Sequence, residues 1–269
     1  MSATLACADT GRRTVAPVPH LDTADHTVGD LPFRSFSTRR PGRPVYVLIH
    51  GIGMSHRYLK PLHEELSTDA EVHSIDLPGF GGLPKPGRGS GIRIIADALG
   101  VVLGELGVSD AVLVGHSMGS QWVVELAIRR PDLARGVVVF GPVTDSRRRG
   151  LLWQAALLAR DSALEPPRPN MIVFTDYVRC GPIWYARQVR HMLRYPIEDR
   201  VGLLDVPLLV LRGGADPIAQ QSWADRLGAR AATAEVSAIP GHHHLAQFTA
   251  SHESAERIRA FAGALPQLS

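Results

Sequence analysis

The segment DAVLVGHSMGSQWVVELAIRRPD, residues 110–132, most constrains what this chain can fold into. An apolar, β-branched run passes directly into the amphipathic pattern of a helix. At the corner stands Ser117, with Gly115 two positions before it and Gly119 two positions after it. A strand that runs straight into a helix turns so tightly that only small residues fit beside the apex. The segment therefore predicts a strand–turn–helix unit that presents the serine hydroxyl at the edge of a sheet.

Apolar runs alternate with helical patterns along the rest of the chain. RPVYVLIHG is typical of a strand buried on both faces, and AEVHSIDL, ARGVVVFGP and VPLLVLRGGAD indicate further strands. Helical patterns follow Ser55, a candidate N-cap, and cover residues 90–107. TVGDLPFRSFSTRR suits an antiparallel hairpin. This alternation predicts an α/β fold, with a mostly parallel central sheet and helices on both faces.

The chain divides into an arm, a core and an insertion. Residues 1–25 are polar and show no sustained period, which indicates a flexible N-terminal arm. The core comprises residues 26–142 and 205–269. Between them, residues 143–204 separate two sheet strands by far more than an ordinary crossover loop and contain the helical patterns LLWQAALLARD and IWYARQVRHMLRY. We predict a helical cap over the carboxyl ends of the strands, where open α/β sheets bind ligands.

Composition excludes several classes of function. The 269 residues are 45% hydrophobic and carry a net charge of +3. The basic run Arg147–Arg149 is short and lacks interleaved aromatic residues, so we expect no nucleic-acid partner. Cys7 and Cys180 are too few for a disulfide framework and lack the spacing of a metal site. With no secretion signal and no apolar run long enough for a membrane span, the sequence predicts a cytoplasmic protein without membrane insertion.

A serine hydroxyl reacts only when a base removes its proton, and a carboxylate must hold that base. Asp216 follows the apolar run LLVLRGG, so it would emerge at the same edge of the sheet as Ser117. Asp145, after the preceding strand, is its rival, because a carboxylate there could also reach the histidine. Either aspartate could instead have only a structural role in a turn or at a helix cap, and this alternative applies more to Asp145 than to Asp216. We favour Asp216.

The base is sought in the loop IPGHHHLAQF, which contains His242, His243 and His244. Three adjacent histidines also invite a metal-site interpretation. Neighbouring side chains diverge, however, and the sequence has no complementary cluster of Cys, Asp or Glu, so we expect no bound metal. His50 and His116 are interpreted as hydrogen-bonded loop residues rather than as bases.

A tetrahedral intermediate needs two backbone donors for its oxyanion. Met118 follows the serine at the start of the predicted helix, where backbone N–H groups are unpaired. LIHGIGMS leaves the first long strand in a glycine-rich loop that could supply the second donor from Ile52, since Gly51 and Gly53 let the backbone approach a substrate. An ordinary strand-end turn is the alternative explanation of these glycines.

The motifs HGIG, DLPGFG, GHSMG, GGADP and PGHHH occur in this order. They resemble the α/β-hydrolase superfamily, specifically its cap-bearing serine hydrolases, over residues 28–265. The resemblance implies a catalytic triad and an oxyanion hole at five positions: nucleophile Ser117, acid Asp216, base His244 and the amides of Ile52 and Met118.

The choice among the histidines rests on this resemblance. The family often has Pro-Gly-x-Gly-His before its last helix, and Pro240 and Gly241 align with that pattern only when His244 is the base. The chain departs from the pattern at His243, which stands where the second glycine is usual.

A serine at the elbow excludes the alkyl-enzyme chemistry of dehalogenases and epoxide hydrolases, which the resemblance would associate with an aspartate. Esterases, lactonases, thioesterases, carbon–carbon bond hydrolases and cofactor-free perhydrolases share this triad. The fold also has non-hydrolytic members, such as a ligand-binding scaffold or a cyclase-like enzyme. We expect an esterase-like serine hydrolase that acts on a small molecule without a cofactor, as a monomer or a homodimer.

Aromatic residues of the cap are candidates for an apolar or aromatic acyl pocket, and Arg147–Arg149 could meet an anionic group of the substrate. Core packing and a solvated face explain these residues equally well. The aromatic candidates are Trp153, Phe174, Tyr177, Trp184 and Tyr185.

Overall fold

The computed structural model describes residues 20–87, 90–148, 150 and 167–266. Its strands are β1 (Leu21–Val28), β2 (Leu31–Thr38), β3 (Val45–Ile49), β4 (Glu71–Asp76), β5 (Ala111–His116), β6 (Ala134–Phe140), β7 (Leu208–Gly213) and β8 (Ala234–Ile239). They form one sheet in the order β1-β2-β4-β3-β5-β6-β7-β8. The pairs β1/β2 and β2/β4 are antiparallel, and the remaining neighbours are parallel. The predicted α/β fold with a mostly parallel sheet is confirmed.

Helices connect the strands. The α-helices among the described residues are α1 (His56–Leu66), α2 (Ile92–Glu105), α3 (Gly119–Arg129), α4 (Pro167–Cys180), α5 (Pro182–Arg194), α6 (Ile197–Val201), α7 (Gln221–Gly228), α8 (Ala246–Thr249) and α9 (Ser251–Ala264). The predicted N-cap of α1 is present, because the Ser55 hydroxyl accepts a hydrogen bond from the Arg57 amide at 3.4 Å. Pro61 lies inside α1.

The core forms two apolar layers, one on each face of the sheet. Side chains alternate along a strand, so Tyr46 and Leu48 of β3 join the layer that contains α1 and α9, while Val47 and Ile49 join the layer of α2, α3 and α7. All four side chains are at most 2% exposed. A sheet covered on both faces explains why a strand such as β3, VYVLI, is apolar throughout.

The first strand begins earlier than predicted. β1 starts at Leu21 and pairs with β2 along its whole length, so residues 21–25 belong to the sheet and the prediction of an arm through residue 25 is wrong for them. Residues 1–19 lie outside the described part of the chain. The hairpin itself is confirmed.

The described part of the insertion, residues 143–148, 150 and 167–204, is helical in α4, α5 and α6. Asp176 of α4 is 3% exposed; it accepts hydrogen bonds from the Ser55 hydroxyl at 2.6 Å and from Arg57 at 2.9 Å. These bonds fasten α4 to the N-terminus of α1, just after the carboxyl end of β3. The described part of the insertion therefore contacts the core just beyond the carboxyl end of β3.

Within the part of the chain that the structure describes, no helix is both long and apolar enough to cross a membrane.

Candidate active site

The predicted strand–turn–helix corner is present, with Ser117 between β5 and α3. Ser117 has a φ of +55°, in the left-handed region that L residues rarely adopt. A Cβ at Gly115 would collide with the Gly119 carbonyl, and one at Gly119 would collide with the Ile49 carbonyl. Both glycines are thus required by the close approach of backbone on either side of the serine. The Ser117 amide donates to the Phe140 carbonyl at 2.8 Å and ties the corner to β6.

His244 and Asp216 form a hydrogen-bonded pair at this edge of the sheet. His244 Nδ1 lies 2.8 Å from Asp216 Oδ2, and the side chains are 5% and 0% exposed. The other carboxylate oxygen accepts from the amides of Ile218 at 2.7 Å and Ala219 at 3.0 Å. Burial alone would raise the pKa of Asp216, but His244 and these amides outweigh burial and hold the pKa below its usual value. The carboxylate is ionised at neutral pH.

The pair lies beside the serine corner. The His244 ring packs on Gly141, which has a φ of +57° and directly follows the residue that accepts from the Ser117 amide. The His244 and His116 rings lie 4.8 Å apart between centroids, and His116 is the residue before Ser117.

The rival carboxylate has other partners. Asp145 accepts from the Arg226 guanidinium at 2.6 Å and from the Arg147 amide at 3.0 Å. The adjacent histidines also diverge: His242 Nδ1 lies 3.0 Å from the Thr249 hydroxyl, and His243 Nδ1 lies 3.2 Å from the Ala215 carbonyl. Among the three histidines and two aspartates that the sequence left open, His244 and Asp216 are the two that the structure pairs.

The loop after β3 is held by a buried histidine. His50 Nε2 accepts from the Leu77 amide at 3.1 Å, so Nδ1 carries the proton and donates to the Gly51 carbonyl at 2.8 Å. In a trans peptide the N–H of Ile52 points opposite to the Gly51 carbonyl, so this bond also sets the direction of the Ile52 amide. Burial lowers the pKa of His50. Met118, the second predicted donor, is the N-cap of α3.

Two of the predicted cap aromatics press on the glycine-rich loops of the core. The Tyr177 ring lies where a side chain at Gly53 would stand, and the Trp184 indole lies where a side chain at Gly79 would stand. Both glycines have positive φ, +75° and +80°. The Tyr185 ring meets Tyr177 edge to face, with centroids 5.3 Å apart. Tyr177 and Tyr185 therefore lie beside the loop of Ile52, and Trp184 lies beside the loop that follows β4.

The other two predicted cap aromatics differ. Phe174 is 65% exposed, so its side chain faces solvent and the structure does not support its assignment to an enclosed acyl pocket. Trp153 lies outside the described residues. Within the described ranges, no group of three His, Cys, Asp or Glu residues could hold a metal ion.

A family comparison agrees with this geometry. The model of the alpha/beta hydrolase family matches residues 46–259, well over half of the chain. The chain belongs to this family.

Two sequence relatives and one solved structure similar to this α/β hydrolase carry the names of hydrolytic enzymes. The (E)-2-((N-methylformamido)methylene)succinate hydrolase of Acinetobacter baylyi is 24% identical over 243 residues, 84% of this chain and 92% of the relative. The pimeloyl-[acyl-carrier protein] methyl ester esterase of Shewanella sp. is 36% identical over 112 residues, which cover 42% of this chain and 39% of the relative. The crystal structure of the enol-lactonase from Burkholderia xenovorans superposes with a TM-score of 0.76 at 19% identity, covering 89% of this chain and all of the lactonase.

Buried neutral histidines make the stability of this α/β hydrolase depend on pH. Burial, aided by the nearby His244, lowers the pKa of His116 to about 3, and burial lowers that of His63 to about 4. Both values lie below the ~6.5 of an unfolded histidine, so below that pH the unfolded chain binds protons that the folded chain does not. The free energy of unfolding should fall by about 1.4 kcal/mol per pH unit for each such histidine between pH ~6.5 and ~4. Urea unfolding at several pH values measures this slope.

His63 provides the comparison variant, because it lies in the core between the hydroxyls of Thr38 and Ser74, at 2.9 and 2.8 Å. The His63→Gln variant should show a slope shallower by about one proton over the same range. Equal slopes in the two proteins would contradict the assignment of His63 as a neutral buried group.

Proposed function

We propose that this chain is a serine hydrolase that cleaves an ester, lactone, thioester or related acyl bond of a small, apolar or aromatic substrate through an acyl-enzyme on Ser117. The observation that carries the proposal is the corner itself: a serine at positive φ, flanked by two sterically required glycines, beside a buried His244–Asp216 pair. Family membership and the hydrolase relatives support it.

In the first half of the reaction, the Ser117 oxygen bonds to the acyl carbon of the substrate while His244 takes the hydroxyl proton. The carbonyl π electrons move to oxygen, and the amides of Ile52 and Met118 donate to this oxyanion. Asp216 accepts from His244 Nδ1 and so keeps Nε2 as the proton-accepting nitrogen.

The oxyanion then collapses and the bond to the leaving group breaks, which leaves the acyl-enzyme. His244 returns its proton to the departing oxygen, sulfur or, for a formamide, nitrogen, which leaves as an alcohol, a thiol or an amine. A water molecule then attacks the acyl carbon of the acyl-enzyme and gives a proton to His244. When this second oxyanion collapses, the bond between the acyl carbon and the Ser117 oxygen breaks, and His244 returns its proton to that oxygen, which releases the carboxylic acid. No cofactor is needed for this sequence of steps.

The cap supports an apolar or aromatic acyl group. Tyr177 and Trp184 lie directly against the loops that follow β3 and β4, and Tyr185 packs on Tyr177. Trp184 is 3% exposed, so its ring is withdrawn from water at the carboxyl edge of the sheet. Such surfaces bind apolar groups through the area that they remove from water.

A panel of esters, lactones and thioesters with varied acyl size tests the reaction class. A formamide belongs in the panel because the Acinetobacter relative is named for a formamido substrate. We expect hydrolysis of at least one class, with rates that rise for apolar or aromatic acyl groups. Absence of turnover across the panel, with no labelling of Ser117 by a fluorophosphonate, would instead favour a ligand-binding role.

Two aspartate variants test the mechanism on the best substrate of that panel. Asp216→Asn should lower kcat by about 10³-fold or more, because the amide no longer fixes the tautomer of His244. Asp145→Asn, the matched control, should lose less than about tenfold, because Asp145 pairs with Arg226. The reverse ranking of the kcat values would transfer the role of acid to Asp145.

A further inference from the structure

A chain of three buried hydrogen bonds joins the loop after β3 to the loop of the candidate base. The Gly51 amide donates to the Tyr58 hydroxyl at 2.6 Å. Tyr58 Oη lies 2.8 Å from His116 Nδ1. His116 Nε2 lies 2.9 Å from the backbone carbonyl oxygen of His244. The Tyr58, His116 and His244 residues are 0%, 2% and 4% exposed, so water does not compete for these bonds.

The direction of donation along these three hydrogen bonds follows from the last acceptor, the His244 carbonyl. A carbonyl oxygen only accepts, so His116 Nε2 must carry the proton that it donates to His244. His116 Nδ1 is then a lone pair, and the Tyr58 hydroxyl donates to it. The Tyr58 oxygen in turn accepts from the Gly51 amide. Each bond therefore requires the next, and a change of tautomer at His116 would leave the His244 carbonyl facing a lone pair.

The three segments that the chain connects are the parts of the proposed catalytic site. Gly51 precedes Ile52, the candidate oxyanion donor; His116 precedes Ser117; and the last acceptor is the backbone of the candidate base. We propose that Tyr58 and His116 are positioning residues that hold the oxyanion loop and the backbone of His244 in register with Ser117. This inference rests on the proposed function of Ser117.

The protonation state of His116 is consistent with this role. Burial, aided by nearby His244, lowers the pKa of His116 to about 3. The imidazole therefore stays neutral at neutral pH, and Nδ1 remains available to accept from Tyr58. His50, which holds the Gly51 carbonyl, is likewise neutral through burial. Both polar groups of Gly51 are thus held by buried side chains, its N–H by Tyr58 and its carbonyl by His50.

Tyr58→Phe is the most selective variant, because it keeps the buried ring and removes only the hydroxyl. It leaves the Gly51 amide and His116 Nδ1 without partners in a dry interior. We expect kcat per active site, titrated with a fluorophosphonate, to fall about tenfold to hundredfold, with KM within about twofold. Tyr46→Phe is the matched control: Tyr46 is 2% exposed but stands at the opposite end of β3, and its variant should keep wild-type kcat.

Two further measurements separate positioning from general stability. A trifluoromethyl ketone analogue of the best substrate places a charged oxygen in the oxyanion hole, so its Ki should rise in the Tyr58→Phe protein in parallel with the loss of kcat/KM. The double variant Tyr58→Phe/His116→Gln should lose no more kcat than the worse single variant, because both changes break one chain. Three results would each overturn the positioning role. The Tyr58→Phe protein could lose activity only because fewer of its molecules are titrated as active, its Ki for the ketone could be unchanged, or the losses of kcat in the two single variants could add in the double variant.

A readout without turnover keeps this inference separate from the proposed function. Imidazole ¹⁵N shifts should show His116 as the neutral Nε2–H tautomer at pH 7 in the wild type and an altered tautomer population in Tyr58→Phe. A protonated His116, or the Nδ1–H tautomer, in the wild type would overturn the chain. A wild-type protein that fluorophosphonate fails to label at Ser117 would contradict the proposed function instead, and the nitrogen shifts would still decide the hydrogen-bond chain.

Discussion

Replacement of Ser117 by alanine is expected to lower kcat by at least about 10³-fold while the fold and substrate affinity persist. The variant removes only the hydroxyl oxygen that would attack the substrate, and it leaves the corner, the His244–Asp216 pair and both backbone donors in place. Steady-state kinetics on the best substrate of the panel give kcat. Circular dichroism and equilibrium binding of the same substrate check the fold and the affinity.

Ser254→Ala is a matched control for the loss of a buried serine hydroxyl. Ser254 is 0% exposed, and its hydroxyl donates to the Ala246 carbonyl at 3.1 Å. This bond links α9 to α8 and does not involve Ser117, His244 or Asp216. We expect the Ser254→Ala variant to have a lower free energy of unfolding than the wild type and the same kcat per folded molecule. Near-wild-type turnover by Ser117→Ala would rule out the serine mechanism.

The backbone of Ser117 supports the same conclusion. An L residue at positive φ costs about 1–2 kcal/mol relative to the right-handed region, and a glycine would adopt this conformation without that cost. The chain has glycines at positions 115 and 119, where sterics demand them, but not at the strained apex. Backbone strain of this kind clusters at functional sites, although Asp110 and Thr144 also have positive φ in this structure.

The central part of the fold was predictable because buried strands carry a strong signal. β3, β5, β6 and β7 are covered on both faces, and each carries a run of at least four consecutive apolar residues. The start of β1 was missed because six of its eight residues are exposed, so it shows no apolar period. β8 was not predicted for a similar reason, since it lies at the opposite edge of the sheet and only Ile239 is buried.

The candidate site was predictable where local rules apply. The need for Gly115 and Gly119 on either side of Ser117 could be predicted, because the steric contacts that require them lie within or next to this five-residue turn. The distinction between Asp216 and Asp145 depends on Arg226, which lies 81 positions from Asp145, and sequence spacing contains no such information. Tyr58 occupies an apolar position of α1, where nothing in the sequence separates a packed ring from a hydrogen-bonded one.

Helix α4 of the cap shows why it is harder to predict which side of a helix packs on the core than to predict the helix itself. α4 carries apolar residues on more than one side: Val173 is 9% exposed, whereas Met171, Phe174 and Val178 are 64–66% exposed. Periodicity alone cannot choose which side packs on the core when both are apolar. The contacts of Tyr177 with the Gly53 loop decide the orientation, and they place Phe174 on the solvent side.

Among the three adjacent histidines, substitution by alanine should abolish turnover only at position 244. A base must place Nε2 toward the serine hydroxyl and Nδ1 toward the acid, and consecutive side chains point in different directions, so a single imidazole can do this. His244 Nδ1 lies 2.8 Å from Asp216, whereas His242 and His243 bind Thr249 and a backbone carbonyl. Without the base, the serine hydroxyl keeps its proton, and kcat should fall by about 10³-fold or more.

His242→Ala and His243→Ala are the matched controls, because each removes one imidazole from the same loop. Both should lose less than about tenfold in kcat, since each removes one hydrogen bond that does not involve Ser117, His244 or Asp216: His242 to the Thr249 hydroxyl and His243 to the Ala215 carbonyl. Kinetics of the three variants on one substrate, with the folded fraction measured for each, separate loss of the base from disturbance of the loop. An inactive His243→Ala variant together with an active His244→Ala variant would show that the base is His243 and not His244.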